Sequence, residues 1–264
     1  MFSNLASLLR YRGLIQSLVA RELKARYRGS VLGLVWSFVN PLLLLSIYSF
    51  VFSTILRNDN DPRIRPYSVF LFCALLPWTW FQTSLTEATS SLISGGNLIK
   101  KVLFPAEILP IVSVLANMVH FLLGLVILAA FMVGFRHYPN PLSLPWFPVV
   151  VLVQLIFTIG LALALSSLTV HFRDIRDLLT NLLTLWFFAT PIIYPYFMPA
   201  VGRFLWVFRL NPFYHFAVSY QEILFFDRFG HARSLLALGA LSVAVFLAGY
   251  WLFDRLRDSF AEAV

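Results

Sequence analysis

Four cations close to the start of the chain have side chains that could bind phosphate: Arg21, Lys24, Arg26 and Arg28. Guanidinium groups hold phosphate oxygens with paired N–H donors, and a lysine adds a point charge. Because an apolar stretch follows directly, we predict that Lys24, Arg26 and Arg28 meet the anionic headgroup of a membrane lipid. The competing interpretation is that they anchor the first membrane span to anionic lipid.

The sequence contains no recognisable catalytic motif. G-x-x-x-x-G-K-[ST], H-E-x-x-H and G-x-S-x-G do not occur, so we predict that ATP hydrolysis, a zinc site and a nucleophile elbow are all absent from this chain. Cys73 is the one cysteine and lies within an apolar run, which indicates a packed side chain. We therefore predict no catalytic residue, no metal and no bound cofactor.

The composition is that of a membrane protein. The chain is 59% hydrophobic and 12% charged, which is more apolar surface than a soluble core of ordinary proportions can bury. Its net charge of +8 could suggest nucleic acid as a partner. The cations lie at the ends of apolar runs, however, so membrane orientation and anionic lipid explain them and no nucleic-acid partner is predicted.

Six segments without Asp, Glu, Lys or Arg are long enough to cross a bilayer. They are residues 31–56, 66–86, 108–135, 144–170, 178–194 and 234–253. The sequence thus predicts an all-α polytopic protein with six transmembrane helices, in a membrane domain of residues 31–264. Six crossings place both termini on one side. The predicted cytoplasmic segments carry twelve Arg and Lys against eight on the other side, which favours cytoplasmic termini.

Residues 1–30 are predicted to form an amphipathic helix on the cytoplasmic face of the membrane. Apolar residues recur there at helical spacing while the cations fall largely on other faces. Such a helix could lie in the headgroup region. A helix packed on its own protein would show the same pattern.

The connection between the second and third segments, residues 87–107, contains two adjacent glycines and then a short amphipathic stretch. Residues 98–104 could lie along the cytoplasmic face and dock on a soluble partner. The candidate docking residues are Gly96, Asn97, Lys100, Lys101 and Phe104. A plain basic loop is the alternative.

After the fifth segment, four prolines between residues 190 and 212 break the helical pattern among many aromatic residues. This piece is too apolar for a solvated loop, so we predict a re-entrant or interfacial segment between the fifth and sixth helices. Irregular backbone at membrane depth must be buried in protein or line a water-filled cavity. The candidate outer-gate residues are Pro191, Tyr194, Pro195, Asn211 and Pro212.

Aromatic residues make up 17% of the chain, more than two interfacial belts require. Flat rings pack against the C–H faces of sugars and allow sliding. The rings that we consider as channel-lining are Trp36, Tyr48, Trp78, Trp80, Phe81, Trp186 and Phe187. Lipid-facing or belt positions are the alternative for each of them.

Three stretches in order resemble a known family. They are residues 21–42 (RELKARYRGSVLGLVWSFVNPL), residues 97–110 (NLIKKVLFPAEILP) and residues 210–214 (LNPFY). With these stretches the chain resembles the permease subunit of bacterial ABC exporters for lipid-linked polysaccharide, the O-antigen, teichoic acid and capsule export type. The resemblance covers nearly the whole chain.

The resemblance implies a homodimer of six-span subunits that encloses a channel in the cytoplasmic (inner) membrane. Two copies of a separate ABC ATPase subunit, which binds ATP and Mg, would drive it. The cargo would be a polyprenyl-pyrophosphate-linked polysaccharide, with O-antigen favoured, and its pyrophosphate would meet Lys24, Arg26 and Arg28. Residues 98–104 would be the coupling helix on the ATPase, the N-terminal helix would lie beside the lipid, and residues 195–233 would form the outer gate.

Two other functions are compatible with the sequence. One is an integral-membrane enzyme acting on polyprenyl phosphates; the compact charged group of Arg173, Asp174, Arg176 and Asp177 would be its only candidate site, and a helix cap also explains that group. The other is an exporter of the same architecture that moves drugs or lipids. A neighbouring gene for an ATPase, a glycosyltransferase or a drug regulator would distinguish the three.

Overall fold

The computed structural model describes residues 11–26, 28–30, 33–55, 61–101 and 104–260, and every regular element in these ranges is helical. The α-helices are α1 (Arg12–Arg26), α2 (Trp36–Ser49), α3 (Tyr67–Ser94), α4 (Gly96–Lys101), α5 (Ile108–Gly134), α6 (Trp146–His171), α7 (Ile175–Phe188), α8 (Pro199–Arg203), α9 (Leu205–Leu210), α10 (Pro212–Leu224) and α11 (Ala232–Leu256). The predicted all-α class is confirmed for this part of the chain.

Four of these helices are long and apolar enough to cross a membrane by length and composition. They are α3, α5, α6 and α11 with its 3-10 extension, Ala232–Ser259. Each has 26 to 28 residues, which at about 1.5 Å per residue exceeds the roughly 30 Å of a hydrocarbon core. They match the second, third, fourth and sixth predicted segments.

The first and fifth predicted segments take a different form. α2 has 14 residues with Pro41 inside, and it is flanked by a 3-10 turn (Gly33–Val35) and a π-helical turn (Phe50–Ile55). α7 also has 14 residues, or about 21 Å, and ends at Phe188 because the prolines at 191 and 195 cannot continue it. The count of six crossings therefore stays a prediction.

α3 is the central helix of the subunit, and most of its side chains are buried on every face. It extends beyond Thr86, where the sequence predicted an end, and its hydroxyl side chains bond to carbonyl oxygens of the preceding turn. Thr86 Oγ1, for example, donates to the Gln82 carbonyl oxygen at 2.9 Å. This satisfies polar groups inside an apolar bundle. Glu87 thus lies inside a helix, and the predicted loop boundary at that residue is wrong.

α6 and α11 pack with their backbones in close approach at two glycines. A Cβ atom built on Gly160 would lie 2.6 Å from the Phe246 Cα atom, and one built on Gly249 would collide with the Gly160 carbonyl oxygen. Small residues at a helix crossing allow this geometry in membrane proteins, where dispersion contacts drive helix association.

α1 packs one face on the start of α5, where Leu18 contacts Ile108 and Val112. Its charged residues Arg12 and Lys24 lie on exposed faces. This contact supports packing of the helix on its own protein. Part of the predicted 1–30 region, residues 1–10 and 27, lies outside the described residues, and its boundary at residue 30 stays a prediction.

Candidate functional site

A cluster of three polar side chains joins α1, α3 and α5. Arg26 comes from the last turn of α1, Glu87 from the part of α3 beyond Thr86, and Asn117 from the third turn of α5. We call these three residues the Arg26–Glu87–Asn117 cluster. It joins the predicted phosphate-binding region to the centre of the helical bundle.

Every member of the Arg26–Glu87–Asn117 cluster is hydrogen bonded to the other two. Arg26 donates from Nη1 to Asn117 Oδ1 at 2.9 Å and from Nη2 to Glu87 Oε2. Asn117 Nδ2 donates to Glu87 Oε2 at 2.6 Å and to the Ser113 carbonyl oxygen at 2.9 Å. Asn117 is 3% exposed, whereas the Arg26 and Glu87 side chains are 21% and 38% exposed. A paired and hydrogen-bonded charge is the form in which an ion is tolerated at such depth.

The cluster forms one end of a cavity of about 290 Å³ between α1, α2, α3 and α5. We call this the α2–α3–α5 cavity. His120 lies at the same polar end, and the rings of Trp36 and Trp80 form part of the wall. Trp80 is held there because its ring stacks on Phe121, with centroids 5.0 Å apart. The cavity therefore combines a polar end, which holds a guanidinium–carboxylate pair, an amide and an imidazole, with apolar and aromatic walls.

The other two predicted phosphate ligands are not part of this cavity. Lys24 and Arg28 are both exposed, and neither lines it. Arg26 is the predicted headgroup residue that the structure brings to the cavity, and its guanidinium is already paired with the Glu87 carboxylate.

The predicted docking stretch contains the short helix α4, as expected. Asn97 and Lys100 are exposed, and Gly96 is buried at the start of the helix. Leu98 and Phe104 pack inward on a core cluster formed by α3, α5, α6 and α11. The Lys101 side chain lies outside the described part of the structure. The amphipathic pattern is thus present, with Asn97 and Lys100 on the exposed side of the helix.

The predicted outer-gate residue Asn211 ties the end of α7 to the start of α10. Its Oδ1 accepts from Trp186 Nε1 at 2.6 Å and from the Phe213 backbone N–H at 2.9 Å. Its Nδ2 donates to the Ala189 carbonyl oxygen at 3.1 Å and to Thr190 Oγ1 at 3.0 Å. Pro212 follows at the first helical position, so Asn-Pro is a helix N-cap pair.

The irregular backbone after α7 is buried and satisfied by side chains from other helices. Gln221 Nε2 donates to the Pro191 carbonyl oxygen at 3.0 Å, and Tyr67 donates from its hydroxyl to the Ile193 carbonyl oxygen at 2.8 Å. Tyr194 donates to the Phe188 carbonyl oxygen at 2.8 Å, and Pro195 is buried beside it. This is the condition under which non-helical backbone can lie at membrane depth.

The loop before α3 also reaches the outer segment. The Arg63 guanidinium lies 4.0 Å above the Phe197 ring. Its hydrogen bonds to the Asp61 carboxylate, the closest at 2.7 Å, lower the pKa of Asp61 to about 2. This exposed pair stays ionised across the physiological pH range.

The sequence analysis missed Glu222 on α10, a carboxylate that is only 3% exposed. Its Oε2 accepts from the Gly230 backbone N–H at 2.9 Å, and the His231 Nδ1 atom lies 2.9 Å from its Oε1. Arg228 donates to the Tyr196 hydroxyl at 2.9 Å beside it. Glu222 fixes the loop between α10 and α11. Its position on the apolar face of α10 is the signal that could have singled it out.

Most of the rings predicted to line a channel form a core cluster within the subunit. Trp78 and Phe81 are almost fully buried; their ring centroids lie 4.8 Å and 4.9 Å from that of Phe213. The Trp186 ring is 5.3 Å from Phe81, and Phe187 contacts Tyr48 at 5.9 Å. Trp78, Phe81 and Phe187 are therefore core residues in this conformation, and a channel-lining role for them stays a prediction. Trp36 and Trp80 instead face the α2–α3–α5 cavity.

Within the residues that the structure describes, no group of three or more His, Cys, Asp or Glu side chains could hold a metal ion. Cys73 is buried, as its apolar surroundings predicted.

Comparison with known proteins places the chain among transporters. The family model described as ABC-2 type transporter matches residues 13–225. The O-antigen export system permease protein RfbA of Myxococcus xanthus is 41% identical over 259 residues, which cover 97% of this chain and 97% of that protein. A Klebsiella pneumoniae protein of the same name is 33% identical over 243 residues, covering 92% of this chain and 91% of the relative.

A more distant relative is the capsule polysaccharide export inner-membrane protein CtrC of Neisseria meningitidis serogroup B. It is 24% identical over 212 residues, covering 78% of this chain and 73% of CtrC. The resemblance that the three sequence stretches indicated is thus confirmed. Four apolar helices of membrane-spanning length and a family match over most of the sequence agree, and the chain belongs to the ABC-2 type transporter family.

Proposed function

We propose that this chain is the membrane permease subunit of an ATP-driven exporter that moves a polyprenyl-pyrophosphate-linked polysaccharide, with O-antigen as the favoured cargo, out of the cytoplasm. The observation that carries the proposal is the near full-length similarity to an O-antigen export permease, at 41% identity. The cavity has a guanidinium at its polar end and apolar walls, and an anionic headgroup on an isoprenoid chain would fit such a site.

The chain is not an enzyme in this proposal. Its sequence has no phosphate-binding loop, so ATP and Mg belong to two copies of a separate cytoplasmic ABC ATPase. Closure of the ATPase dimer would supply the work. Nucleotide binding and substrate binding would be coupled because each ligand favours one of the two permease conformations.

The active form in this proposal is a homodimer in the inner membrane, with six crossings per subunit and both termini in the cytoplasm. Two neighbouring helices expose apolar faces that a second copy could cover. α2 exposes Leu43 and Ile47, and α7 exposes Leu182 and Leu185, at 51% to 68% exposure. α2 and α7 lie side by side, since the Tyr48 and Phe187 rings are in contact.

We expect the double substitution Lys100→Glu and Lys101→Glu to uncouple the permease from its ATPase. The α4 helix exposes Asn97 and Lys100, and reversing two cations there would repel an acidic docking surface. ATP hydrolysis stimulated by the permease should fall at least about tenfold. The measurement is the ATPase activity of the copurified complex.

The matched control reverses two exposed cations on the other predicted cytoplasmic connection, Arg173→Glu with Arg176→Glu. It should leave coupling near the wild-type level. Stimulated hydrolysis that is unchanged in the Lys100 and Lys101 variant would remove α4 from the ATPase interface.

We expect Arg26→Gln to lower export of pyrophosphate-linked glycan by about tenfold, because an amide retains hydrogen bonding but not the charge that phosphate requires. Surface polymer is measured against the amount of permease in the membrane. Arg12→Gln is the control, since Arg12 is exposed on the same helix and does not line the cavity. Normal surface polymer with Arg26→Gln would exclude Arg26 as a headgroup ligand.

A further inference from the structure

We propose that Glu87 is a displaceable carboxylate: it holds the Arg26 guanidinium until the phosphate of an incoming lipid headgroup takes its place in the α2–α3–α5 cavity. This inference rests on the proposed role of Arg26 in binding that headgroup. It assigns Glu87 a function in selecting the substrate and links headgroup binding to a change in the contacts of α1.

The geometry brings the guanidinium and its two partners to the same cavity. Arg26, Glu87 and Asn117 all line it, and Arg26 uses one terminal nitrogen on each partner. An anion that enters the cavity therefore meets a guanidinium whose charge is already compensated. To bind Arg26 it must compete with a carboxylate that belongs to the protein.

A phosphate can win this competition where a neutral headgroup cannot. It carries more negative charge than a carboxylate and offers more acceptor oxygens to the guanidinium fork. A free polyprenol, with a hydroxyl at the same position, would leave the ion pair in place. The carboxylate would therefore act as a filter against uncharged lipids.

Glu87 would not be left without a partner after the exchange. Asn117 Nδ2 donates to its Oε2 at 2.6 Å independently of Arg26, and the Glu87 side chain is 38% exposed. A half-exposed carboxylate with one remaining donor avoids most of the penalty of an unpaired buried charge. The structure thus provides a second state for the released group.

Release of Arg26 would also loosen one of the connections of α1. The apolar contact of α1 is with α5, through Leu18 on Ile108 and Val112, whereas the Arg26–Glu87 ion pair connects α1 to α3. Exchange of the carboxylate for a phosphate would break that link and leave the apolar contact. α1 would then be held by its contact with α5 and no longer by α3.

The test measures equilibrium binding of radiolabelled polyprenyl pyrophosphate to the permease and its ATPase in lipid nanodiscs. Glu87→Gln should tighten binding by about tenfold, because the amide keeps the bond from Asn117 but no longer competes for the guanidinium. Arg26→Gln should weaken binding, and adding Glu87→Gln to it should bring no gain. Glu22→Gln is the matched control, since Glu22 lies 3.9 Å from Arg26 within the same helix and does not line the cavity.

Two ligand controls identify what is recognised. Polyprenol should bind equally to the wild type and to Glu87→Gln, and inorganic pyrophosphate should compete only at much higher concentration than the lipid. If free pyrophosphate competes as well as the lipid, the site recognises a soluble anion and the inference fails.

The binding data distinguish a failure of the role proposed for Glu87 from a failure of the headgroup role of Arg26. If Arg26→Gln weakens binding but Glu87→Gln does not tighten it, Glu87 is a structural clamp, and the headgroup role of Arg26 stands. If Arg26→Gln has no effect on binding, that headgroup role is lost and the inference is lost with it.

Discussion

Substitution of Gly249 by alanine is expected to force α11 away from α6 and to destabilise the subunit by about 3 kcal/mol. The added methyl group would collide with the Gly160 carbonyl oxygen, which is backbone and cannot rotate away. Other side chains at this crossing cannot relieve the clash without moving a helix. The melting temperature of the purified protein in detergent measures the effect, and export should fall with it.

Gly239→Ala provides the control on the same helix. A Cβ atom at Gly239 would lie 3.9 Å from Val153 Cγ2, which is an ordinary van der Waals distance. Its melting temperature should stay close to that of the wild type. Equal melting temperatures for the two variants would mean that α6 and α11 do not pack through Gly249.

Replacement of Asn211 by leucine is the second substitution for which we expect a large effect. The side chains have similar size, but leucine makes none of the four hydrogen bonds of Asn211. The Trp186 and Phe213 N–H groups would lose their shared acceptor in an apolar region. An unsatisfied buried group costs about 1–3 kcal/mol, so the outer segment should lose its fixed position and export should stop.

Asn211→Asp separates the hydrogen bonds that Asn211 accepts from those that it donates. Aspartate keeps the acceptor for both N–H groups and loses the two donations to residues 189 and 190. Its stability and surface polymer should be intermediate between those of the wild type and the leucine variant. Wild-type export by Asn211→Leu would show that the outer segment does not depend on this side chain.

The long helices could be predicted from the sequence because stretches without charge mark them. The break after α7 was also predictable, since Pro191 and Pro195 exclude a continuous helix and Asn211-Pro212 is an N-cap signature. The amphipathic character of α4 followed from two lysines set among apolar residues after two glycines. Each of these features depends on local sequence alone.

The Arg26–Glu87–Asn117 cluster could not be predicted in the same way. Treating every charge as the end of a segment placed Glu87 in a loop, although the charge is compensated by a partner 61 positions earlier in the chain. Which carboxylate pairs with which cation depends on helix packing. Sequence alone could not name the partners of Asn117, which lie 91 and 30 positions earlier in the chain.

The positions of the aromatic rings could not be predicted from the sequence either. An aromatic residue in an apolar helix can face lipid, a channel or the core, and all three leave the same pattern. Trp78 and Phe81 proved to be core residues because α3 is surrounded by other helices. The close contact of Gly160 and Gly249 is likewise a property of a helix pair rather than of either helix.

The most direct test of the central claim is ATP hydrolysis by the reconstituted complex of this permease with its candidate ATPase. Our account predicts that polyprenyl-pyrophosphate-linked glycan stimulates hydrolysis and crosses the bilayer, that both effects require the two proteins together, and that the permease alone hydrolyses nothing. The account would be contradicted if the rate of ATP hydrolysis were the same with and without the glycan. It would also be contradicted if the isolated permease formed or broke covalent bonds in its substrate.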